Sequence, residues 1–192
     1  MNRYEALTLV EGLLPEKRYK HTLGVVETAV ALAKRYGANE EYAEMAAILH
    51  DMAKYHNRDE MKQLIQSEGM DPRLLLFHHE LWHAPVGAHL ATVLAGIHER
   101  EILDAIRYHT TGRANMTLVE KIIYVADYIE PGRKFSGVER VRELAHEDLE
   151  KALCRAVAQS IVFLIEKKQR IFPDTLECYN DLMLQKEKRK YE

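Results

Sequence analysis

Disulfide chemistry has almost nothing to work with in this chain. Its two cysteines, Cys154 and Cys178, cannot build a disulfide framework, and Cys154 falls in an apolar helical stretch where a reduced, buried thiol is expected. No apolar run approaches the length of a membrane span. The opening residues, MNRYEALTLVEGLLPEKR, interrupt their apolar positions with Glu5 and Glu11, so they do not read as a signal peptide. These features predict a cytoplasmic protein that does not engage a membrane. Low-complexity tracts, sequence repeats and strand-like alternation are missing as well. Nor is one sign of charge in large excess. A formal net charge of −3 gives no whole-molecule attraction to nucleic acid, and any anion binding has to be local. The basic run from Lys186 to Lys190 is short enough to read as a solvated end.

What is present is apolar residue spacing with a helical period. With 47% hydrophobic residues in 192, the chain can bury one good core, and a second independent core is not required. Pro15 and Gly37 punctuate a helix over Glu16–Tyr36, and Asn39 caps one running to about Ala53. Asp59 is read as the cap of a short helix stopping at Gly69, after which Asp71 and Pro72 open a new segment. The region around His78, His79 and Trp82 to Pro85 has no clear pattern. Helices then follow over about residues 86–95 and 99–109, and from Thr117 to near Ile129, where Pro131 and Gly132 stop it. The longest helix is expected over residues 148–168, and Pro173 starts the last one. The reading is therefore all-α, a single domain over 1–192. Its core spans about 16–130, with C-terminal helices over about 137–190 packing on it.

Within this pattern lies an ordered set of metal-ligand residue types. His21 comes first, then the adjacent pair His50-Asp51 at the end of AEMAAILHDMAKY, then His83 and His109, and finally Asp127. Asp127 sits in IIYVADYIEPGR, too apolar a run to hold an unpartnered carboxylate cheaply. Adjacent helical side chains diverge by about 100°, so His50 and Asp51 can reach one point only near a helix end or crossing. His21 shares a face with Val25, Thr28 and Leu32, and His109 follows Leu103 and Ile106 at three-residue steps, so both point inward. Imidazole with carboxylate suits Fe(II), Mn(II), Zn(II) or Co(II). On the residues alone, hydrogen-bonded core histidines and an Asp127 paired with Lys or Arg remain equally open. His56, His78, His79, His89, His98 and His146 are assigned to the core or the surface.

The order and context of these residues resemble the HD-domain superfamily of metal-dependent phosphohydrolases. RYKHTLGV carries the first His, ILHDMAKY the His-Asp pair and IIYVADYIEPGR the final Asp. More narrowly, HDMAKY, HAPVGA, IRYHTTGR and ADYIEPGRKFSGVERVRELA are similar to the YqeK family of symmetrical diadenosine tetraphosphate hydrolases. The likeness spans about residues 18–175. It implies an HD-domain helical bundle and a divalent ion, Fe(II) first with Mn(II), Co(II) or Zn(II) as alternatives, on His21, His50, Asp51 and Asp127. His83 and His109 would face the same cavity, contacting substrate or holding a second ion.

The implied reaction is symmetrical cleavage of a dinucleoside polyphosphate by metal-activated water, with ADP-like or GDP-like products. Asp51, Lys54, His83 and His109 would carry the catalysis. Lys54, one turn beyond His50, and Arg133 can neutralise phosphate charge. His83 and His109 are candidates for protonating the departing phosphate or holding a nonbridging oxygen, and Thr110 can add a hydroxyl. The segment Phe172, Pro173, Asp174, Thr175 and Leu176 begins a helix, and the resemblance implies that it closes over the nucleotide, with Phe172 stacking on a base. His21, Asp51 and Asp127 would also meet the phosphates. Competing readings are an HD enzyme for another nucleotide, a nucleotide-sensing binding protein and a helical interaction module. Cyclic dinucleotide cleavage is disfavoured, because His109 is followed by Thr and no Gly-Tyr-Pro signature occurs. A homodimer is left open.

Overall fold

A capping box starts the chain's first helix. Asn2 accepts from the Glu5 N–H at 3.0 Å, and Glu5 accepts from the Asn2 N–H at 2.9 Å. The helix it opens, α1 (Arg3–Leu13), buries Ala6 and Val10 and is an addition to the helices expected from the sequence. The computed structural model describes residues 1–188, so Arg189 and Lys190 of the basic run lie outside the described residues. Ten α-helices and no strand occur among them, which establishes the all-α class.

Helix α2 (Glu16–Tyr36) follows Pro15 and ends at Gly37, whose φ of 73° is the left-handed cap that glycine takes freely. With 21 residues it is the longest helix. The expected longest, α9 (Leu149–Glu166), has 18 and stops early because its last carbonyls are taken by the turn through Lys167 and Lys168. Helix α3 (Glu40–Leu49), capped by Asn39, ends short of the expected Ala53. Tight turns replace its last residues: Met52, Lys54 and His56 donate to the carbonyls of Leu49, Asp51 and Ala53. Helix α4 (Arg58–Ser67) is capped by Asn57 rather than Asp59, since the Asn57 side chain accepts from the N–H groups of both Asp59 and Glu60. Two 3₁₀ turns, Pro72–Leu76 and His79–Leu81, fill the region without a clear pattern.

Helix α5 (His83–Ala95) starts before the expected Val86, because Pro85 is tolerated in a first turn. Then come α6 (Arg100–Tyr108), α7 (Leu118–Ile129), α8 (Val138–Glu147), α9 and α10 (Pro173–Lys188). Helices α2, α3, α6 and α7 form a connected bundle with α5 packed on α6, while α8 and α9 layer onto α7 and onto each other and α10 packs on α9. Helix α7 is buried on nearly every side, through Val119, Ile122, Ile123, Val125, Ala126 and Ile129, so any polar group it carries needs an internal partner.

One such group is Glu120, 1% exposed. Its two oxygens accept from Arg113 at 2.6 and 3.0 Å and from the Thr117 N–H at 2.7 Å, while Thr117 caps α7 in return. Arg113 also donates to Asp104 at 3.2 Å and lies over the Tyr108 ring. Just before it, Gly112 turns with φ of 64°, and a Cβ there would lie 2.7 Å from the Cys178 sulfur of α10.

Candidate metal centre and nucleotide cavities

Five of the bundle helices end, begin or cross where the ligand-type side chains meet. His50 is the residue that terminates α3, and Asp51 occupies the turn after it. That placement resolves the 100° problem, because both side chains leave the helix end toward the same space. His83 opens α5, His109 closes α6, His21 lies in α2 and Asp127 in the last turn of α7.

The imidazoles share one arrangement. The Nδ1 atoms of His50, His83 and His109 lie 2.7, 2.6 and 2.7 Å from the carbonyl oxygens of Ala47, Glu80 and Ile106, each three residues upstream. Those carbonyls can only accept, so each Nδ1 carries the proton and each Nε2 presents a lone pair inward. His21 does the same with a carboxylate: its Nδ1 lies 3.1 Å from Glu130 Oε1. Glu130 is itself buried, accepts from the Gly132 N–H at 2.5 Å, and has Gly24 and Gly132 pressed against it. A Cβ at either glycine would stand 2.8 or 2.9 Å from a Glu130 oxygen.

Asp51, 2% exposed, lies at the middle. Its Oδ2 is 3.3 Å from His50 Nε2, 3.7 Å from His21 Nε2 and 2.8 Å from Arg18 Nη1. Its Oδ1 is 3.0 Å from His83 Nε2 and 3.7 Å from His109 Nε2. Asp127 Oδ1 is 3.1 Å from His21 Nε2 and is paired with Arg133, whose Nε also donates to the Asp127 carbonyl. The six expected residues therefore do come together, in two groups joined by Asp51: His21, His50 and Asp51, and Asp51, His83 and His109. Asp127 stands beside the first group.

This donor set fits a divalent cation. His21 Nε2 and His50 Nε2 are buried without a hydrogen-bond partner, a costly state that a cation would relieve. His83 Nε2 and His109 Nε2 face each other at 3.1 Å with both Nδ1 protons already committed, so their lone pairs oppose unless something positive joins them. Burial, the largest influence on His83, pushes it down to about 4 despite Asp51, so a proton is poorly suited to that role near neutral pH. The carboxylates behave oppositely. Burial pulls Asp51 upward, but the His50 ring above all, with those of His109 and His83 beside it, holds it well below the usual range. For Asp127, burial is likewise outweighed by His21, Arg133 and His50.

Two cavities border Thr110, the residue that follows His109 at the end of α6. One, about 300 Å³, runs between the His79–Leu81 turn and α9, and includes Thr110, Phe163, Gln169, Arg170, Phe172 and Thr175. The other, about 280 Å³, lies among Arg73, Arg107, Tyr108, Thr110 and Asp174. The Thr110 hydroxyl, shared by both, is buried with no partner. Phe172 borders both but is only 4% exposed and packs edge-to-face on Phe77, with Arg73 over its ring. Pro173 and Leu176 border neither, and Leu176 points to solvent. Lys54 is paired with Glu80 at 2.7 Å, at the mouth of a third cavity that also includes His83. Arg18 and Glu130 are site residues that the sequence does not single out. Arg18 lies three residues before His21, on the same helix face, which is the one signal pointing to it.

The chain belongs to the HD-domain family, whose model matches residues 18–132. Relatives match nearly end to end. A protein of Bacillus subtilis (strain 168), named bis(5'-nucleosyl)-tetraphosphatase, symmetrical, is 55% identical over 95% of this chain and 98% of its own. One of the same name from Staphylococcus aureus (strain NCTC 8325 / PS 47) is 40% identical over 94% of each chain. A crystal structure from Clostridium acetobutylicum, described as an HD superfamily hydrolase involved in NAD metabolism, superposes with a TM-score of 0.92 at 40% identity. It covers 96% of this chain and 98% of that one.

Proposed function

We propose that this protein is a metal-dependent hydrolase that cleaves diadenosine tetraphosphate at its central anhydride, giving two ADP. The observation that carries the reading is the buried ring of inward lone pairs around Asp51, in a chain matched over nearly its full length by proteins named for this activity. The bound ion, which we take to be Fe(II), with Mn(II), Co(II) or Zn(II) able to substitute, supplies Lewis acidity and a water of lowered pKa. His21, His50, Asp51 and Asp127 would hold it. Their donor geometry also leaves His83, His109 and the second oxygen of Asp51 for a further ion or for phosphate oxygens.

The remaining work is positioning and charge neutralisation, which dominate phosphoryl transfer. Arg18 and Arg133 lie against Asp51 and Asp127 and can turn their free N–H groups to phosphate oxygens. Lys54 adds an ammonium on the His83 side. With its depressed basicity His83 offers a lone pair near neutral pH, and with His109 Nε2 it faces the space left for a phosphate oxygen or a further ion. The first nucleoside half is read into the cavity beside α9. There the unpartnered Thr110 hydroxyl, Gln169 and Arg170 supply polar contacts and Phe163 an apolar face. Water adds at an inner phosphorus, and the central bridging oxygen leaves with one ADP.

The test is anaerobic incubation of the protein and diadenosine tetraphosphate with each ion in turn, followed by product chromatography. ADP as the sole nucleotide product is expected. A mixture of ATP and AMP overturns the symmetrical assignment.

A further inference from the structure

The partition that borders the α9 cavity has another side. The His79–Leu81 turn and the residue before it form a thin wall, with His78 and Leu81 facing the cavity beside α9. His79 faces a third cavity, against α4, and Glu80 borders both. The two spaces are similar in size, about 260 Å³ on the α4 side and about 300 Å³ on the α9 side. The α4-side cavity reaches the centre at His83, and the α9-side cavity borders Thr110, the residue after His109.

We infer that the α4-side cavity is the berth of the second nucleoside half, so that the substrate straddles the wall with its reacting phosphorus at the base. This rests on the function proposed above. A substrate with two identical halves, cut at its middle, needs room on both sides of the cut, and the α9 cavity supplies only one side. The α4-side cavity carries the matching chemistry. Lys54 and Arg58 bring cationic groups to the path of the distal phosphates. Tyr55 sits at the rim with 59% of its surface exposed, a ring free to stack on a base. His79 is depressed first by burial and then by the charges of Arg58, His78 and Lys54, which registers a locally positive field in a chain of net negative charge. The acidic groups do not cancel it. Glu80 holds Lys54 and lies 3.6 Å from His79, and Glu60 binds His56 at 3.0 Å. Arg58 is left with no carboxylate in ion-pair contact among the described residues.

Adenosine 5'-tetraphosphate, which lacks the second nucleoside, isolates this contact. The experiment compares diadenosine tetraphosphate with that analogue, used as substrate or, where it is not turned over, as competitor. Wild type is expected to favour the dinucleotide. Tyr55→Ala should cut that preference about tenfold, mostly through KM, equivalent to about 1.4 kcal/mol. Tyr55→Phe should retain it, because the ring rather than the hydroxyl stacks. Arg58→Ala should raise KM for the dinucleotide several-fold. All three variants lie outside the core, and circular dichroism checks that they fold. If Tyr55→Ala and Arg58→Ala keep the wild-type preference while still releasing ADP, the second berth is wrong and the hydrolase reading stands. If wild type releases no ADP from the dinucleotide, the hydrolase reading itself fails and takes the berth with it.

Discussion

Two buried carboxylates, Glu120 and Asp51, are 1% and 2% exposed and lie in neighbouring parts of the same bundle, yet their surroundings differ in kind. Glu120 is answered in full: a guanidinium grips both its oxygens and a backbone N–H completes the set. Asp51 is ringed by imidazoles whose lone pairs already face it, two of them with nothing to bind. A polar cluster that closes on itself holds a fold together. One that leaves buried donor atoms open is built around something that arrives later.

The widest separation between the two should come from Asp51→Asn. Removing the carboxylate that joins both halves of the centre should abolish metal retention and lower turnover by about 10³-fold or more, read by elemental analysis and product formation. The metal-free protein should still fold. Glu120→Ala should do the reverse. It strands Arg113, and the fold should lose about 2–3 kcal/mol in denaturant titrations, moderated by the water Arg113 still reaches, with metal content per folded chain unchanged. If Glu120→Ala costs activity but no stability, the contrast collapses.

A subtler probe is Glu130→Gln, which keeps the shape but places an amide against the Gly132 N–H and weakens the hold on His21. Metal affinity should fall about 10- to 100-fold, measured by competition with a chelator, with little change in the stability of the metal-free chain. The smallest effect concerns pH. Asp51 and Asp127 titrate below the ordinary 3.8 in the folded chain, so they add stability that is present above about pH 4 and lost as pH falls through their folded values. His50 is raised above 6.5: burial lowers it, but Asp51 more than compensates. Its contribution is complete below pH 6.5 and lost as pH rises through its folded value. His83, held down to about 4 by burial, works the other way and costs stability as pH falls from 6.5 toward 4. Denaturant midpoints of the metal-free protein should therefore peak near pH 6.5, with a loss on the order of 1 kcal/mol on either side. Added metal should extend that optimum upward, because a cation takes the place of the His50 proton.

Much of the site is legible in the sequence because it rests on residue order and helical period. His21 and His109 fall on inward positions that spacing exposes, and His50, Asp51 and Asp127 stand out in apolar helical runs. His83 is placed by the family resemblance, and Pro15, Gly37, Asn39 and Thr117 mark helix ends by their turn chemistry. What is not legible depends on neighbours distant in the chain. Glu130 carries no signal of its own before Pro131, because its burial depends on Gly24, three residues after His21, leaving it room. The end of α3 at Leu49 is hidden because Met52 and Ala53 continue an apolar pattern that the backbone abandons to aim His50 and Asp51 together. The α4-side cavity depends on a 3₁₀ turn with no periodic signature at all.

Gly112 gives the cavity beside α9, which we propose takes a nucleoside, a mechanical reference point. Its missing side chain lets the Cys178 sulfur rest on the turn that follows His109 and Thr110, and Cys178 lies on the helix that begins just after Phe172 and includes Thr175. The width of that cavity is thus gauged by a single vacant methyl position beside Cys178 and Met116. Bulk added there would act like a shim, lifting the final helix and widening the slot without touching a single ligand.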